Sequence, residues 1–404
     1  MNALSAERIQ LRQDALTIGL IGLAHLISHF FQLALAPLFP YLHQAFSVSY
    51  LELGSVSTSF YIASGICQAF AGILVDRYGA RPMLLAGVTT MAACIGLAGL
   101  ATDFWMLYPL AVLAGVGNSV FHPADFSLLS SRVSKQRLGR AYGVHAFLGT
   151  IGFAMAPVVV GGLAASIGWR AALVSASLSG LVAVGLLIRF GAVLGAWSPS
   201  HGESNAQGNG ISYARLIASP AIMMAFAYFL LTAFAGTGFQ TFSTASLVEF
   251  YGVPLETAAS ALTAYLIGSA IGILLGGQLA DRTTHHVRVA IVGLAVCASL
   301  MAVVATGAIS FAGAMATVFV AGLAQGCTSP SRDILVKRAT PPGATGKVFG
   351  FVYSGLDAGS TAAPLLFGAL LDRHAVQTIF LCIALFYALS IFSVLTVSRH
   401  PQKV

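Results

Sequence analysis

The chain has 404 residues, of which 57% are hydrophobic and only 8% are charged. Because an average soluble domain carries about 25% charged residues, this composition excludes a water-soluble globular protein. The formal net charge of +7 is explained by membrane topology, as shown below, and gives no reason to expect a nucleic-acid partner.

Apolar runs long enough to cross a bilayer recur along the whole chain. A helix needs about 20 residues to span a hydrocarbon layer of about 30 Å. Twelve such runs lie near residues 16–42, 49–74, 82–102, 105–130, 138–166, 170–194, 220–249, 256–280, 287–309, 312–335, 345–371 and 375–397. They lack the two-residue alternation of membrane β-strands. The sequence therefore predicts an all-α membrane protein with twelve transmembrane helices.

The distribution of cations predicts the orientation. Lys and Arg are retained on the cytoplasmic side of a membrane during insertion. With both termini cytoplasmic, 18 of the 20 Lys and Arg residues fall on that side, and only Arg170 and Arg373 fall opposite. We therefore expect a multi-pass membrane protein with both termini cytoplasmic. A bacterial inner membrane is the expected location. A mixed-charge tail, residues 1–14, is expected before the first span.

Two sequence patterns each occur twice, at nearly the same distance. The charged island from Gly72 to Arg81, between the second and third spans, is echoed from Gly277 to Arg282, 205 residues later. The run from Ala114 to Pro123 is answered by the run from Ala321 to Pro330 at an offset of 207 residues. The chain is therefore predicted to be a duplication of a six-helix unit.

The predicted halves are residues 1–194 and 220–404. The segment between them, 195–219, is rich in Gly, Ser, Asn and Gln, which indicates a flexible cytoplasmic linker. Six helices per half leave both halves in the same orientation, so they are pseudo-symmetric about an axis normal to the membrane. Transporters that work by rocking two halves use this arrangement.

The charged island resembles the signature loop between the second and third helices of the major facilitator superfamily. The matching residues are Gly72, Leu74, Asp76, Arg77, Gly79 and Arg81, with Asp281 and Arg282 in the second copy. The resemblance implies a conformational-switch loop. Gly72 is expected to let helices approach, Asp76 to cap a helix end or pair with cations, and the arginines to hold the loop inside. The alternative is a positive-inside turn without a switching role.

Within that superfamily the chain resembles the fosmidomycin-resistance branch, most closely in its first half. The resemblance rests on Ala24–Ser28, followed by Pro37–Pro40, and on the Phe-His-Pro stretch that ends at Pro123. The fifth span also resembles the antiporter Gly-Pro motif, which implies a helix-packing role for Gly152, Pro157, Gly161 and Gly162. The fourth span lacks the arginine that many drug–proton antiporters carry.

Ionisable side chains inside the hydrocarbon layer cost at least about 2.5 kcal/mol each, so each is a candidate for function. In the first span, His25, His29 and Gln32 share one helix face at i, i+4 and i+7. Facing a water-filled cavity, the histidines are expected to carry a proton or to bind an acidic group of a substrate. The alternative is a pair of neutral imidazoles hydrogen-bonded to neighbouring helices.

A second polar group lies near the predicted cytoplasmic mouth. His122 and Asp125 lie late in the fourth span, and His145 lies early in the fifth, at the same level. The 207-residue offset makes Arg332 the counterpart of Asp125. An acid facing a base is expected to form a gate, since a pair worth only about 0–1 kcal/mol reopens easily. The alternative is a set of ordinary charges at cytoplasmic helix ends.

Asp357 lies near the middle of the eleventh span with no cation close in sequence. Apolar surroundings favour the protonated form of a carboxylate, which suits a proton carrier. Together with His25, it is predicted to form the site that couples protons to transport. The alternative is a structural Asp that caps a helix broken at the neighbouring glycines.

These features predict a secondary active transporter that exports small compounds, with anionic and amphiphilic ones as first candidates, in exchange for protons. Uptake of a small organic solute by proton symport is the alternative. A membrane metalloenzyme built on His25 and His29 is a remote alternative, because the other histidines do not cluster at ligand spacing. We expect no enzyme activity, metal or cofactor. The expected partners are a small-molecule substrate, protons and the bilayer, without nucleic acid, and we expect a monomer.

Overall fold

The computed structural model describes residues 3–134, 137–195, 219–340 and 345–399. Across these residues the chain forms fourteen α-helices, three short 3-10 helices and no strand. The first half contains α1 (Ala3–Gln32), α2 (Phe39–Phe46), α3 (Tyr50–Tyr78), α4 (Ala80–Ala98), α5 (Leu107–Asn118), α6 (Phe121–Arg132), α7 (Leu138–Ile167) and α8 (Trp169–Phe190). The second half contains α9 (Pro220–Tyr251), α10 (Leu255–Arg282), α11 (His286–Ala305), α12 (Phe311–Ala339), α13 (Thr345–Asp372) and α14 (Val376–Arg399).

These helices account for the predicted membrane spans. Ten segments of the described residues are long and apolar enough to cross a membrane, and two of these segments each join two helices, α1 with α2 and α5 with α6. Helices α3 and α13, with 29 and 28 residues, also have the length of a span. Lipid offers no hydrogen-bond partners to the backbone, and a helix satisfies its backbone hydrogen bonds internally. The predicted all-α fold, with twelve membrane-spanning helices in two six-helix halves, is confirmed.

Prolines mark the two interrupted spans. After α1 the chain passes through a 3-10 segment, Ala36–Leu38, that contains Pro37. Helices α5 and α6 are separated by Ser119 and Val120, and Pro123 lies in the first turn of α6, where its missing N–H is not needed. This interruption lets α6, which carries two predicted site residues, begin as a separate helix.

The first helix begins earlier than the sequence predicted. The chain is helical from Ala3, so the mixed-charge stretch before the first apolar run continues the first helix over residues 3–14. Asp14 is only 1% exposed and accepts hydrogen bonds from the Ser134 hydroxyl at 2.6 Å and from Arg137 at 2.8 Å. These contacts tie α1 to the connection between α6 and α7.

The described residues pack into two compact units. The first unit comprises the described residues within 1–38 and 59–202, and the second comprises those within 39–58 and 203–404. In the first, α1 packs on α7 and α4 packs on α8; in the second, α10 packs on α12 and α9 packs on α13. Most of the predicted linker, residues 196–218, lies outside the described residues.

Each unit has its own apolar core. Ile21, Leu84 and Leu173 are fully buried in the first unit, and Phe239 and Phe380 are fully buried in the second. The cores lie between the helices, where these side chains leave no exposed surface.

The duplication is visible in the helix contacts inside each unit. In the first unit, a Cβ on Gly115 would collide with the backbone carbonyl of Phe60. In the second, a Cβ on Gly322 would collide with the carbonyl of Tyr265. The two glycines are 207 residues apart and the two carbonyls 205 apart, so the same close helix crossing occurs in both halves.

A second pair of contacts repeats in the same way. A Cβ on Gly152 would collide with the carbonyl oxygen of Leu26 where α7 crosses α1. A Cβ on Gly359 would collide with the carbonyl oxygen of Leu230 where α13 crosses α9. Small residues let membrane helices approach closely, and both halves use them at equivalent crossings.

Candidate functional site

Three buried side chains from three helices meet in the first unit. His25 comes from α1, Asp125 from α6 and His145 from α7, and their side chains are 4%, 0% and 5% exposed. Helix α7 packs along α1, and α6 contacts both helices. Residues that are a hundred positions apart in sequence therefore come together. We call these three residues the His–Asp cluster.

The carboxylate of Asp125 is the centre of the cluster. Its Oδ2 accepts a hydrogen bond from the Nε2–H of His145 at 2.9 Å and lies 3.3 Å from Nδ1 of His25. The second contact lacks hydrogen-bond alignment, since Nδ1 of His25 has no hydrogen-bond partner among the described residues. The two imidazole rings stack with their centroids 3.7 Å apart and an interplanar angle of 24°. One carboxylate oxygen thus approaches ring nitrogens of both histidines.

Two further histidines flank the cluster. The ring of His29, one turn after His25 in α1, lies 4.3 Å from that ring and 4.2 Å from the ring of Phe153. The ring of His122, on α6, lies 5.5 Å from that of His25 and is exposed. Gln32, the last residue of α1, is half-buried. Four imidazoles and one carboxylate therefore lie side by side in the first unit.

Gly149 of α7 makes room for these rings. A Cβ at this position would lie 2.7 Å from Nε2 and from Cδ2 of His25, and 3.0 Å from Cε1 of His29. No side chain larger than hydrogen fits there unless the imidazoles move. The sequence interpretation missed Gly149. The available signal was its position one turn after His145, on the same face of α7.

Some polar atoms of this group are buried without a partner. Oδ1 of Asp125, Nδ1 of His25 and Nδ1 of His29 have no hydrogen-bond partner among the described residues. Leaving a buried donor or acceptor unpaired costs about 1–3 kcal/mol. Such groups call for a specific explanation, and binding of a proton, an ion or a polar ligand group is one. The cluster and its flanking histidines are therefore the candidate functional site of the first unit.

Asp125 does not lie at a solvated helix end. Its carboxylate has no exposed surface, so the alternative of an ordinary cytoplasmic charge is wrong for this residue. Its described partners are imidazoles of its own unit, while Arg332 pairs with Asp333 in the second unit. The gate between Asp125 and Arg332 stays a prediction.

The second unit carries a cation at the position that the repeat relates to the acid of the cluster. The guanidinium of Arg332 lies 4.5 Å from the ring centre of Phe229, and its Nε donates to Asp333 at 2.9 Å. The hydroxyl of Tyr353 donates to the same carboxylate at 3.3 Å. Tyr228, Phe229 and Arg332 line a cavity of about 20 Å³, which is the space of roughly one water molecule.

Asp357 lies on α13, away from the face that contacts α9. A Cβ on Gly355 or Gly359 would press on the backbone of Phe226 or Leu230. Asp357 is two residues from each glycine, so it projects from a different face. It is half-buried, and no described residue forms a hydrogen bond or ion pair with it. Because α13 is continuous, the alternative of a cap in a broken helix is wrong.

The charged island forms a tight turn. Gly79 is the single residue between α3 and α4 and has a φ of 90°, a conformation that glycine adopts without strain. Arg81 donates to the carbonyl of Ile188 on α8 at 3.4 Å, and Arg77 is exposed. A Cβ on Gly72 would have no described atom within 4 Å. The expectation that Gly72 permits close helix approach is wrong.

The remaining residues of the predicted switch lie at the ends of long helices. Arg282 is the exposed last residue of α10. Asp76 and Asp281 belong to α3 and α10, but their side chains lie outside the part of the chain that the structure describes. The switching role stays a prediction.

The Gly-Pro motif lies along α7. Gly152 contacts the backbone of Leu26, and Pro157 and Gly161 are buried inside the first unit. A Cβ on Gly162 would meet no described atom within 4 Å. The packing role therefore holds at Gly152 and is wrong at Gly162, which projects from an exposed face.

Comparison with known proteins identifies the family. The sequence profile of the Major Facilitator Superfamily matches residues 21–262 and 224–404. The chain is 24% identical over 269 residues to the Fosmidomycin resistance protein of Escherichia coli K12, covering 66% of this chain and 65% of that protein. It is 25% identical over 393 residues to the uncharacterized MFS-type transporter YfnC of Bacillus subtilis 168, covering 95% and 93%.

Solved structures show the same fold. A bacterial homologue of the human lysosomal transporter Spinster, in an inward-facing and occupied conformation, has a TM-score of 0.78. The comparison covers 95% of this chain and 96% of that one at 16% identity, so it supports the fold alone. The profile match extends over most of the sequence and agrees with the twelve-helix architecture, and the chain therefore belongs to the Major Facilitator Superfamily of membrane transporters.

Proposed function

We propose that this chain exports small organic compounds across a bacterial inner membrane in exchange for protons. Its halves would alternate between inward and outward access, with both termini cytoplasmic and the chain acting as a monomer. Family membership supports membrane transport of a small molecule. Similarity to a protein named for fosmidomycin resistance supports efflux as the direction.

The proposed proton step rests on Asp357, a carboxylate within a membrane helix. A charged side chain in the hydrocarbon layer costs at least about 2.5 kcal/mol unless it is paired or hydrated, so an ionisable residue in a membrane helix is a candidate for function. Asp357 lies within the long apolar helix α13 and has no described partner. Its carboxylate is neutral when protonated and charged when free, which provides the change that a proton carrier needs.

The His–Asp cluster is a poorer candidate for the coupling proton. Its carboxylate already accepts a hydrogen bond from His145 and lies against His25. Asp357, in contrast, is free to exchange a proton without breaking a described contact. We therefore assign coupling to the second unit and retain the cluster as a separate site.

The first test asks about direction and substrate class. Cells that lack their own efflux pumps would be compared with and without this chain, across a panel of antibiotics that includes fosmidomycin and amphiphilic compounds. Export predicts raised resistance to at least one compound and lower intracellular accumulation of it. Increased accumulation would overturn export and favour proton-coupled uptake.

The second test asks whether Asp357 carries the coupling proton. It uses a compound that the first test identifies as a substrate. In inverted membrane vesicles, Asp357→Asn should abolish accumulation driven by a pH gradient. It should spare exchange of labelled for unlabelled compound, because exchange needs binding and alternation but no net proton movement. Glu256→Gln changes an exposed acid in the first turn of α10; it is the control and should behave as wild type. Full gradient-driven accumulation by Asp357→Asn would overturn the assignment.

A further inference from the structure

The geometry of the His–Asp cluster points to a binding site for one divalent transition-metal ion of the zinc type. The site is independent of the proposed proton step, which rests on Asp357. One ligand atom each from His25, Asp125 and His145 lies within 4.8 Å of the other two. All three residues are buried, and they come from three different helices of the same unit.

The distances suit a small tetrahedral ion. Bonds of about 2.1 Å from Zn²⁺ to nitrogen and oxygen ligands place neighbouring ligand atoms about 3.4 Å apart. The oxygen Oδ2 of Asp125 lies 3.3 Å from Nδ1 of His25 and 2.9 Å from Nε2 of His145. Both distances from the carboxylate oxygen to the ring nitrogens are therefore close to the ligand spacing of a tetrahedral site. Nε2 of His145 must lose its hydrogen-bonding proton before it binds an ion, as imidazole ligands do.

The donor set selects the class of metal. Two imidazole nitrogens and one carboxylate oxygen are ligands that zinc, cobalt and nickel favour. Calcium and magnesium prefer a shell of oxygen atoms, which the cluster does not offer. The site is therefore expected to discriminate against the abundant alkaline-earth ions.

The unpaired atoms of the cluster support the proposal that an ion binds there. Nδ1 of His25 and Oδ1 of Asp125 are buried without a hydrogen-bond partner among the described residues. An ion between the three side chains would use the lone pair of that nitrogen and share the charge of the carboxylate. Nδ1 of His29 is also buried and unpaired, and it belongs to the ring that packs against His25. His29 is therefore the nearest candidate for a fourth ligand.

Two exposed rings lie beside the cluster. The ring of His122 is exposed and lies 5.5 Å from that of His25. Its exposed neighbour Phe126 has its ring centre 5.6 Å from that of His145. An ion that reaches the exposed imidazole is one ring away from the buried donors.

Metal binding is tested on the purified full-length chain in detergent after treatment with a chelator. We expect equilibrium dialysis to show one tightly bound Zn²⁺ per chain. Co²⁺ should give the visible absorption bands of a four-coordinate site. Zn²⁺ should raise the temperature of thermal unfolding, because it binds only the folded chain, whereas Mg²⁺ at the same concentration should not.

Variants locate the site. Asp125→Asn and His145→Gln should each weaken Zn²⁺ binding at least tenfold and remove the Co²⁺ bands. His285→Gln, at an exposed histidine of the second unit, and Asp357→Asn should both bind as wild type. Absence of stoichiometric Zn²⁺ or Co²⁺ binding by the wild-type chain overturns the proposal, whether or not the variants fold. Unchanged binding by folded Asp125→Asn overturns it as well.

Discussion

The crossing of α1 and α7 can be tested by adding a single methyl group. In Gly152→Ala, the new Cβ would collide with the carbonyl oxygen of Leu26 and lie 2.9 Å from its carbonyl carbon and 3.1 Å from its Cα. These atoms are backbone and cannot rotate away, so the helices must separate. Overpacking of this kind costs about 1–3 kcal/mol. Alanine recovers up to about 1 kcal/mol through its better helix propensity.

Gly162→Ala is the matched control in the same helix. Its Cβ meets no described atom within 4 Å, so only the propensity gain of up to about 1 kcal/mol applies. We therefore expect Gly152→Ala to be less stable than Gly162→Ala by about 1–3 kcal/mol. The assay is thermal unfolding of both variants, purified in the same detergent. If Gly152→Ala unfolds at the same or a higher temperature than Gly162→Ala, the close approach of α1 and α7 is refuted.

Three further predictions concern acids. Asp372→Ala should lower stability by about 0.5–2 kcal/mol, because the Asp372 carboxylate accepts hydrogen bonds from the N–H groups of the first two residues of α3. Thermal unfolding checks this prediction, and Arg373→Ala, at the exposed neighbouring residue, is the control. Asp14→Asn should cost about 1–3 kcal/mol, because it weakens the buried contact with Arg137, and an unchanged unfolding temperature would contradict this contact. Asp76→Asn should lower transport in vesicles while the protein still folds and inserts; normal transport would argue against the switch.

The fold followed from the sequence because its signals are local. An apolar run of about 20 residues predicts a membrane helix wherever it occurs, since lipid leaves the backbone no other way to satisfy its hydrogen bonds. The duplication could also be predicted from the sequence, and the paired helix crossings at Gly115 and Gly322 occur at the predicted offset of 207 residues. Gly152 could be predicted as a packing residue from its motif.

The helix rotations and crossing points could not be predicted from single residues. Gly72 and Gly152 are both glycines within apolar helices, yet only the second lies at a crossing. The difference depends on which face of each helix meets a neighbour, and that is set by the packing of all the helices together. For the same reason Asp14, assigned to a charged tail, is a buried residue of α1.

The candidate site shows the same division most clearly. The sequence singled out His25, Asp125 and His145 individually, because ionisable residues in apolar spans are costly. The sequence placed His25 together with Asp357 in the coupling site, and it placed Asp125 in a separate gate. His25 and Asp125 were assigned to different sites because a hundred residues separate them. Only the packing of α1, α6 and α7 places both imidazoles against one carboxylate. The sequence determined which helices form and which polar groups they carry, whereas tertiary packing decided which of those groups share a buried site, because contact depends on helix rotation and crossing.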